Sequence, residues 1–298
     1  MRIVKPNFEI WEQLAGLKGV YKQIERVGRV CYKSEDKITE DSAKPFVDRM
    51  IKSGHGAMLE HGTVYLKITY KDTNFTTLCM FYGKNKYSVL NHSEDNKIYY
   101  ITTNYRVLVE NNHLSDLKYL CEPSEFHEKR ITVHFVCDRG VSHEFVRHRV
   151  MSFAQESTRY CNYSKDKFGN ELTFIKPCWL DIPTGQYVYW DGDWCDINKM
   201  KIQLPEGEHK GIDAFLWTLN NAETHYTLLI NSGWKPQEVR AILPNSLKTE
   251  LVVTGFTSDW NHFFDLRARD TTGAPHPQAK ELAEPLMKEF IARKYINN

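Results

Sequence analysis

The stretch VSHEFVRHRVMSFAQESTRYCNY, residues 141–163, gathers basic and hydrogen-bonding side chains within a short span. It places Arg147, His148, Arg149 and Arg159 within thirteen positions, with serine, threonine and glutamine side chains between them. A guanidinium presents a planar fork of N–H donors that suits a phosphate or a carboxylate. The stretch therefore predicts a site for an anionic, planar, hydrogen-bonding ligand, a description that a nucleotide satisfies.

A second interpretation of this cluster stays open. Ion-pair networks also gather arginines, so these side chains could instead pair with acids elsewhere in the chain. Within the stretch the acids are only Glu144 and Glu156, and lysine is absent until Lys165. An ordinary solvated face would carry lysines and acids in rough balance, but residue types alone do not separate the two interpretations.

The local structure of the cluster is predicted from its own pattern. The sequence favours a short helix over about 142–149, capped by the serine at its start. On that helix Glu144, Arg147 and His148 would share one face, because they lie three and four positions apart. The polar segment 152–157 is expected to be a loop that wraps the ligand.

The whole chain, residues 1–298, is expected to form one α+β domain in which an antiparallel sheet packs with helices. Strands are predicted at 63–70 and 131–138, as partners of each other, and at 76–81, 97–103 and 250–257. Helices are predicted at about 19–32, 41–53, 104–112 and 115–120, from Gly207 or Gly211 to Ser232, at 235–243, from a Ser258 cap to about 270, and at 276–295. Residues 164–206, rich in Gly, Pro, Asp and aromatic residues, predict an irregular excursion.

Composition is that of an ordinary globular protein, with 41% hydrophobic and 26% charged residues. The net charge of +1 gives no global field that would attract nucleic acid or an anionic membrane. A nucleic-acid-binding protein normally carries a basic excess. The arginine cluster is therefore predicted to serve a small anion and not a long polyanion.

Seven scattered cysteines without a CxxC pair predict free thiols in a reducing compartment. The N-terminus, MRIVKPNFEIWEQL, lacks the apolar core of a secretory leader. No run approaches the ~18 apolar residues of a membrane helix. We therefore expect a cytoplasmic protein.

His55, Glu60 and His61 lie close together before the strand at 63–70 and could ligate a metal. Their spacing does not match HExxH, and no third-ligand motif completes a zinc site. We therefore predict that the protein has no metal centre.

The cluster also resembles a known family. Arg147, His148, Arg149 and Ser157 fit the signature of the flavin-dependent thymidylate synthases, RHR followed after seven residues by serine, and the TRY that follows agrees as well. The segment from Gly54 to His61 resembles the GH…EH pattern of that family, with Gly56 and Ala57 as a local departure. Compact family members join the flanking strands with almost nothing at 71–130, so we interpret this part as an insertion. Its aromatic and basic residues favour a surface hairpin over a cover for a cofactor.

The resemblance implies reductive methylation of dUMP to dTMP. Methylenetetrahydrofolate would supply the carbon, FAD the hydride, and NADPH the electrons that reduce FAD. It also implies an α+β fold and a homotetramer with sites at chain interfaces. No membrane or nucleic-acid partner is expected.

The resemblance further implies roles for individual residues. An arginine before an xxLP turn holds the substrate phosphate in the family, and Arg240 occupies that place. An LRA segment carries the arginine that activates the pyrimidine, and Arg267 occupies that place as the expected catalytic residue. The implied dUMP-binding residues are Glu144, Phe145, Val146, Arg147, Gln155, Glu156, Ser157, Thr158, Arg159, Arg240 and Arg267. The implied FAD-binding residues are His55, Ala57, Arg147, His148, Arg149, Gln155 and His262.

Several positions depart from the family pattern. Ala154-Gln155 replaces the usual Asn-Glu, Glu144 replaces a glutamine, and His262 replaces an asparagine. An asparagine–arginine pair that helps to bind flavin appears here as part of 256–258.

Other interpretations of these residues stay open beside the thymidylate synthase interpretation. Arg240 and Arg267 could be ordinary ion-paired residues on helix surfaces. A non-catalytic nucleotide- or RNA-binding module could use the Arg147–Arg159 cluster without any flavin. A cysteine-dependent transferase could use Cys161, because a nearby arginine can lower the pKa of a thiol. No local motif marks that cysteine, so we expect it to be structural and Ser157 not to be a nucleophile.

Overall fold

The computed structural model describes residues 1–95, 97–205 and 209–297, which form mainly antiparallel sheets packed with helices, with one parallel pair between the strands Arg2–Val4 and Thr173–Ile175. The strands are β1 (Arg2–Val4), β2 (Asn7–Trp11), β3 (Thr63–Thr69), β4 (Val89–Ser93), β5 (Ile98–Asn104), β6 (Arg130–Asp138), β7 (Ser152–Gln155), β8 (Thr173–Ile175), β9 (Gly185–Gln186), β10 (Val188–Trp190), β11 (Asp193–Cys195) and β12 (Lys248–Phe256). The helices are α1 (Gly16–Tyr32), α2 (Ala43–Lys52), α3 (Gly56–Leu59), α4 (Phe75–Leu78), α5 (Tyr105–Glu110), α6 (Arg139–Phe145), α7 (His209–Asn231), α8 (Pro236–Val239), α9 (Thr257–Arg267) and α10 (Pro277–Ala292). The α+β prediction is confirmed.

The central sheet has four strands in the order β2-β6-β12-β7, and all its pairs are antiparallel. Side chains alternate between its two faces, as the pleat of a strand requires. Leu251 and Val253 of β12 lie on the face that packs against α6, α9 and α10. There Trp260, Phe264 and Phe290 are fully or almost fully buried, so this face holds one of the main cores.

The opposite face of the central sheet lies against α1 and is more polar. Val252 and Ala154 pack with Val27 and Val30 of α1. Beside them, the Thr132 and Thr254 hydroxyls are 2.8 Å apart. Polar residues are thus buried next to the apolar contacts on this side, in the direction of the predicted flavin-binding segment.

Residues 71–130, interpreted from the sequence as an insertion, contribute β4 and β5 to a second sheet, which β3 completes in the order β3-β5-β4 and which we call the inserted sheet. The predicted pairing of 63–70 with 131–138 is wrong, because β3 pairs with β5 along its whole length and β6 pairs with β2 and β12. Strands β3 and β6 carry the same alternation of apolar and polar residues, and this alternation alone does not identify the partner of a strand. β3 therefore belongs to the inserted sheet.

The inserted sheet is not a hairpin lying on the surface. Ile101 of β5 and Leu66 of β3 are fully buried in one cluster with Val20 and Ile24 of α1. The segment predicted as a strand at 76–81 is instead α4 followed by a π-helical turn, Cys79–Gly83. Asn74 caps α4, since its side chain accepts a hydrogen bond from the Thr77 amide, and this local cap outweighs the β propensity of the threonines.

The short elements around the arginine cluster also differ from prediction. Helix α6 begins at Arg139, because the Asp138 carboxylate accepts from the Val141 amide at 2.7 Å and caps the helix. Ser142 is therefore inside the helix, which ends at Phe145, before Arg147 and His148. The expected loop at 152–157 contains β7, which pairs with β12 at the edge of the central sheet.

The excursion at 164–206 is mostly irregular, as predicted, with strands of two or three residues. Helix α7 covers it with Ile212, Leu216 and Leu219. A helix start at Gly207 lies outside the described residues, whereas Gly211 is already within α7. Ser258 does not cap α9; the Asp259 carboxylate accepts from the Phe256 amide instead. Within the described ranges no helix is long and apolar enough to cross a membrane.

Candidate active site

The RHR motif lies on the turn between α6 and β7. The Met151 amide donates to the His148 carbonyl at 3.0 Å and closes this turn. Arg147 and Arg149 are exposed, and neither side chain has an ion pair or hydrogen bond among the described residues. The interpretation that these arginines form a structural knot with acids is therefore not supported for this pair.

His148 points the opposite way and is buried against α9. Its ring lies 4.9 Å from that of Phe263 and 5.9 Å from that of His262. Burial, with Arg267 and His262 nearby, lowers the pKa of His148 to about 4. Its Nε2 atom is buried and has no hydrogen-bond partner among the described residues, which is unusual for a buried polar atom.

Arg267 is held by Glu144. Its Nη1 donates to the Glu144 carboxylate at 2.7 Å and its Nη2 to the Glu144 carbonyl at 2.9 Å. The Nε–H is buried and has no partner in the described part of the chain. Helix α6 thus orients a cation on the last turn of α9 and leaves one of its donors free.

Gln155 is oriented by the same helix. At the end of β7 its amide nitrogen donates to the Ser142 hydroxyl at 2.8 Å and to the Thr249 hydroxyl at 3.2 Å. Glu144, Ser142 and Gln155 therefore connect α6, β7 and α9 into one rigid group.

The residues after Gln155 divide between the interior and the surface. Glu156 is buried and accepts from the Tyr163 hydroxyl at 2.9 Å and from Lys248 Nζ at 3.0 Å. Ser157 is half-buried, and its hydroxyl accepts from the Arg159 amide. Arg159 is exposed and lies over the Tyr160 ring.

Three more residues were predicted from the sequence to bind dUMP. Phe145 is fully buried beneath the RHR turn, Val146 is exposed, and Thr158 is buried. Phe145 is therefore a packing residue in this chain. Its side chain can support the turn but offers no hydrogen bond to a ligand.

Arg240 follows α8 and is exposed. The Glu238 carboxylate accepts from the Lys235 amide at 2.8 Å, and Val239 is fully buried, so this turn is well anchored. No ion pair of Arg240 is present among the described residues, in contrast to the surface salt bridge considered from the sequence. No direct contact joins Arg240 or Arg159 to the Arg267 group in the described part of the chain.

The GH…EH segment meets the site through a buried arginine that sequence reasoning missed. Arg130 Nη1 donates to the Glu60 carbonyl at 3.0 Å and Nη2 to the Ser152 hydroxyl at 3.3 Å. Burial lowers the pKa of Arg130 to about 10. The only signal in the sequence was an arginine at the start of an apolar strand. His55 and Ala57 lie exposed at the other end of this segment.

His61, considered as a metal ligand, is fully buried, and its Nδ1 is 2.8 Å from the Thr254 hydroxyl. Burial, with Arg130 nearby, lowers the pKa of His61 to about 3, so the ring is neutral. No group of three or more His, Cys, Asp or Glu side chains within 1–95, 97–205 and 209–297 could hold a metal ion.

Cys161 is buried, and burial, with the Glu156 carboxylate nearby, raises the pKa of its thiol to about 12. A nucleophilic cysteine needs a lowered pKa, so this environment opposes the cysteine-dependent mechanism. All seven cysteines are free.

A second polar group missed from the sequence lies on the α1 side of the sheet. Glu250 accepts from Lys248 at 2.6 Å, from Lys33 at 2.8 Å and from His134 at 3.0 Å. Burial raises the pKa of Glu250, but these three partners outweigh it and hold the pKa well below its usual range. This group joins α1 to the central sheet.

Comparison with known proteins places this geometry in context. Residues 75–293 match the family model described as thymidylate synthase complementing protein. A flavin-dependent thymidylate synthase from Pyrococcus furiosus is 27% identical over 160 residues, which is 54% of this chain and 53% of that protein. One from Corynebacterium aurimucosum is 22% identical over 282 residues, or 94% of this chain and 80% of that protein.

The chain spans about half the length of the Pyrococcus relatives it matches. A solved structure of a UMP/dUMP methylase from Streptomyces cacaoi bound with 5-Br dUMP is 17% identical, covers 98% of this chain and 93% of its own, and has a TM-score of 0.44. Likeness at this level says nothing about ligands of this chain.

Proposed function

The chain belongs to the family of thymidylate synthase complementing proteins, and we propose that it is a flavin-dependent thymidylate synthase. The proposed reaction is the reductive methylation of dUMP to dTMP. Methylenetetrahydrofolate is the carbon donor, and NADPH is the reductant of the enzyme-bound flavin. FAD, when bound, supplies the hydride.

The observation that carries this proposal is the state of Arg267. Glu144 fixes its guanidinium through two N–H groups, while the buried Nε–H has no protein partner among the described residues. Reduction of a uracil ring places negative charge on its N3–C4–O4 edge. A preorganised cation at that edge stabilises the charge as it develops.

The residues around Arg267 also fit a flavin. The RHR turn offers two unpaired guanidinium groups, Arg147 and Arg149, which suit a pyrophosphate. Buried His148 Nε2 lacks a partner and suits a polar ring edge. We assign Arg147, His148, Arg149, Gln155 and His262, with His55 and Ala57 of the GH…EH segment, to FAD.

The dUMP assignment rests on the remaining donors. Arg159 and Arg240 are exposed and free of ion pairs among the described residues, which leaves their charge for a phosphate. Ser157 adds a hydroxyl and is a binding residue, not a nucleophile. Glu156 stays in the proposed set, although both its carboxylate oxygens are occupied by Tyr163 and Lys248, which favours a supporting role.

We further propose a cytoplasmic homotetramer with sites shared between chains. Four site arginines, 147, 149, 159 and 240, project from a single chain without ion-pair partners in its described part. This arrangement supports completion of the site by ligands and by neighbouring chains. No nucleic-acid or membrane partner is proposed.

The deciding experiment is flavin binding followed by turnover. Purified protein reconstituted with FAD should show flavin absorption bands, release FAD on denaturation, and form dTMP from dUMP, methylenetetrahydrofolate and NADPH. Absence of retained flavin at high FAD concentration would overturn the proposal and favour a nucleotide- or RNA-binding module that uses the Arg147–Arg159 cluster.

A further inference from the structure

Two neighbouring cavities meet at the C-terminal end of α1 and share the lining side chains of Lys33 and Lys167. One, about 510 Å³, lies beside β1 and the end of β7, and the other, about 450 Å³, lies between α1, α2 and His55. At their boundary Lys167 Nζ donates to the Lys33 carbonyl at 3.1 Å. We refer to the two adjoining cavities together as the basic groove.

The basic groove is strongly cationic in a chain that is almost neutral overall. Eight lysine and arginine residues line it, against three carboxylate residues. The whole chain carries a net charge of only +1. Such a local concentration of one sign raises the local concentration of oppositely charged ligands.

Half of these cations are already neutralised by the protein. Lys33 and Lys248 pair with Glu250, Arg2 pairs with Glu171, and Arg29 pairs with Glu25. The other four, Lys5, Lys37, Arg49 and Lys167, have no ion pair among the described residues. Asp36 is the one lining acid within the described ranges that has no ion pair either. The groove therefore presents about three unbalanced positive charges.

The shape of the groove suits a long ligand. It begins at His55, one of the residues assigned to FAD, and runs past Tyr32 and Phe168 to the start of β1. A single phosphate would engage only one end of this series of cations. Among the residues assigned to dUMP and FAD, only Glu156 and His55 line the groove, and none of the assigned arginines does, so the unpaired cations of the groove are left for a third molecule.

We infer that the basic groove binds the anionic part of an elongated co-substrate. The shared chemistry is a chain of phosphates or carboxylates attached to a redox or one-carbon group. Two co-substrates of the proposed reaction have it: the phosphates of a nicotinamide dinucleotide and the glutamate carboxylates of a folate. The inference rests on the proposed function for the identity of these candidates.

The test removes the unpaired cations and measures binding directly. Lys37→Ala, Arg49→Ala, Lys167→Ala and their combination are titrated, in the FAD-loaded protein, with NADPH, NADH, and folates carrying one or four glutamates. Lys165→Ala is the matched control, because this exposed lysine is two residues from Lys167 and does not line either cavity. The replaced side chains are exposed, so the thermal midpoint and the FAD content should not change.

Each single variant should weaken binding of the true occupant two- to fivefold, on the scale of an exposed ion pair, and the triple variant by about tenfold or more. Binding should also become less sensitive to salt. Weaker binding of both NADPH and NADH identifies the dinucleotide pyrophosphate as the occupant, and selective loss of NADPH identifies its additional phosphate. Selective loss of the tetraglutamate over the monoglutamate identifies the folate tail. Equal loss in Lys165→Ala, or no loss with any probe, overturns the inference.

Failure of the proposed function gives a different result. If the protein binds these probes in a groove-dependent way but forms no dTMP, the inference about the groove stands and the thymidylate synthase assignment is wrong. If the protein forms dTMP and the triple variant binds every probe as wild type does, the assignment stands and the inference about the groove is wrong.

Discussion

Arg267 combines a fixed position with an unsatisfied donor, and its replacement tests both properties. Arg267→Ala should keep the fold and the flavin but lower dTMP formation by at least ~100-fold, the scale of removing one preorganised donor. Arg267→Lys should restore little, because a point charge cannot contact both Glu144 and a ring edge as the guanidinium does. Steady-state dTMP assays with measured flavin content are the readout.

The neighbouring Arg269 supplies the control for this experiment. It follows the end of α9, pairs with Asp265 of that helix at 2.9 Å and has no assigned role. Arg269→Ala should therefore retain activity within a factor of a few. Near wild-type turnover of dUMP by Arg267→Ala would show that Arg267 is an ordinary ion-paired residue of α9.

Cys161 should be dispensable for chemistry. Its thiol is buried, and burial raises its pKa to about 12, so almost no thiolate is present at neutral pH. Cys161→Ser should leave product formation within roughly tenfold, a change in barrier near 1.4 kcal/mol. Complete loss of turnover in a folded, flavin-loaded variant would revive the cysteine mechanism. The exposed Cys178 provides a control for the general effect of Cys→Ser replacement.

His61 makes the protein sensitive to acid. Its pKa is about 3 in the folded chain, because of burial, and 6.5 in the unfolded chain. The unfolded state therefore binds the proton more tightly, so the stability from neutral His61 is fully present above pH 6.5 and is lost as pH falls from 6.5 towards 3. At pH 4.5 this loss is about 2 to 3 kcal/mol.

Urea unfolding of wild type and His61→Gln at pH 7.5 and pH 4.5 measures this term. The variant should lose less stability between the two pH values than wild type does. His225→Gln, at an exposed position of α7, controls for the loss of one imidazole. Identical pH dependence in wild type and His61→Gln would refute the assignment of this term to His61.

At the scale of single residues, sequence reasoning identified side chains whose chemistry is unusual for a surface. The unpaired arginines of the RHR motif and Arg267 were found in this way. The interior contacts of Arg130, His61 and Glu250 were missed, because these contacts depend on burial and on partners distant in sequence. Neither property can be read from spacing along the chain.

Gly28 sets how closely α1 and α2 approach. A Cβ atom at this position would lie 2.5 Å from the buried ring of Phe46, which cannot yield easily. Gly28→Ala should therefore destabilise the chain by about 1 to 3 kcal/mol through overpacking. Denaturant midpoints at constant slope provide the measurement.

Gly211→Ala is the matched helical control. No atom lies within 4 Å of the corresponding Cβ position, and the residue is exposed on α7. The change should be neutral or stabilising by up to about 1 kcal/mol, because alanine favours helix more than glycine does. Equal destabilisation by both changes would contradict close packing as the cause.

Among the elements, the long periodic ones were predicted well and the short ones were not. Helix α1, helix α10 and strand β12 follow clear hydrophobic patterns, so the sequence predicted their types correctly. Helix α6 and strand β7 have four to seven residues. The bounds of α6 are set by the local Asp138 cap, whereas the sequence favoured a serine cap, and the type of β7 is set by pairing with β12. That pairing is tertiary, and a window of a few residues does not contain it.

At the scale of the molecule, the inserted sheet and the helices α1 and α2 share one core. A substitution in the core of the inserted sheet should therefore also destabilise these two helices. Ile101→Ala, at a fully buried position of β5, should destabilise the chain by about 2 to 5 kcal/mol. Loss of structure around α1 should accompany it in the same unfolding transition. Hydrogen exchange of α1 amides, together with denaturant unfolding, measures both effects.

Leu114→Ala provides the control, since Leu114 lies in the same insertion but is 40% exposed. Its effect should be much smaller. An insertion that unfolds separately in Ile101→Ala, while α1 stays protected, would show that the two parts are independent.

The α+β class was predictable from alternating and helical patterns, but the separation of the central sheet from the inserted sheet was not. Both β3 and β6 carry the alternation of a half-buried strand, and each could have paired with the other. Their separation depends on β5, which follows β3 after a long connection and contacts it along seven residues. Long-range pairing of this kind is decided by the complete set of strands.

The segment from Glu60 to Arg130, which contains the inserted sheet, begins and ends at one place: the Arg130 guanidinium contacts both the Glu60 carbonyl and Thr63, and the Arg130 amide donates to the Tyr65 hydroxyl. A segment with adjoining ends can be acquired in a single genetic event without separating the strands around it. Removal is a different matter, because Val20, Ile24 and Val47 now depend on that segment for cover. Its gain is therefore easier than its loss, and descendants of such a chain would keep the addition whether or not it still served the purpose that first favoured it.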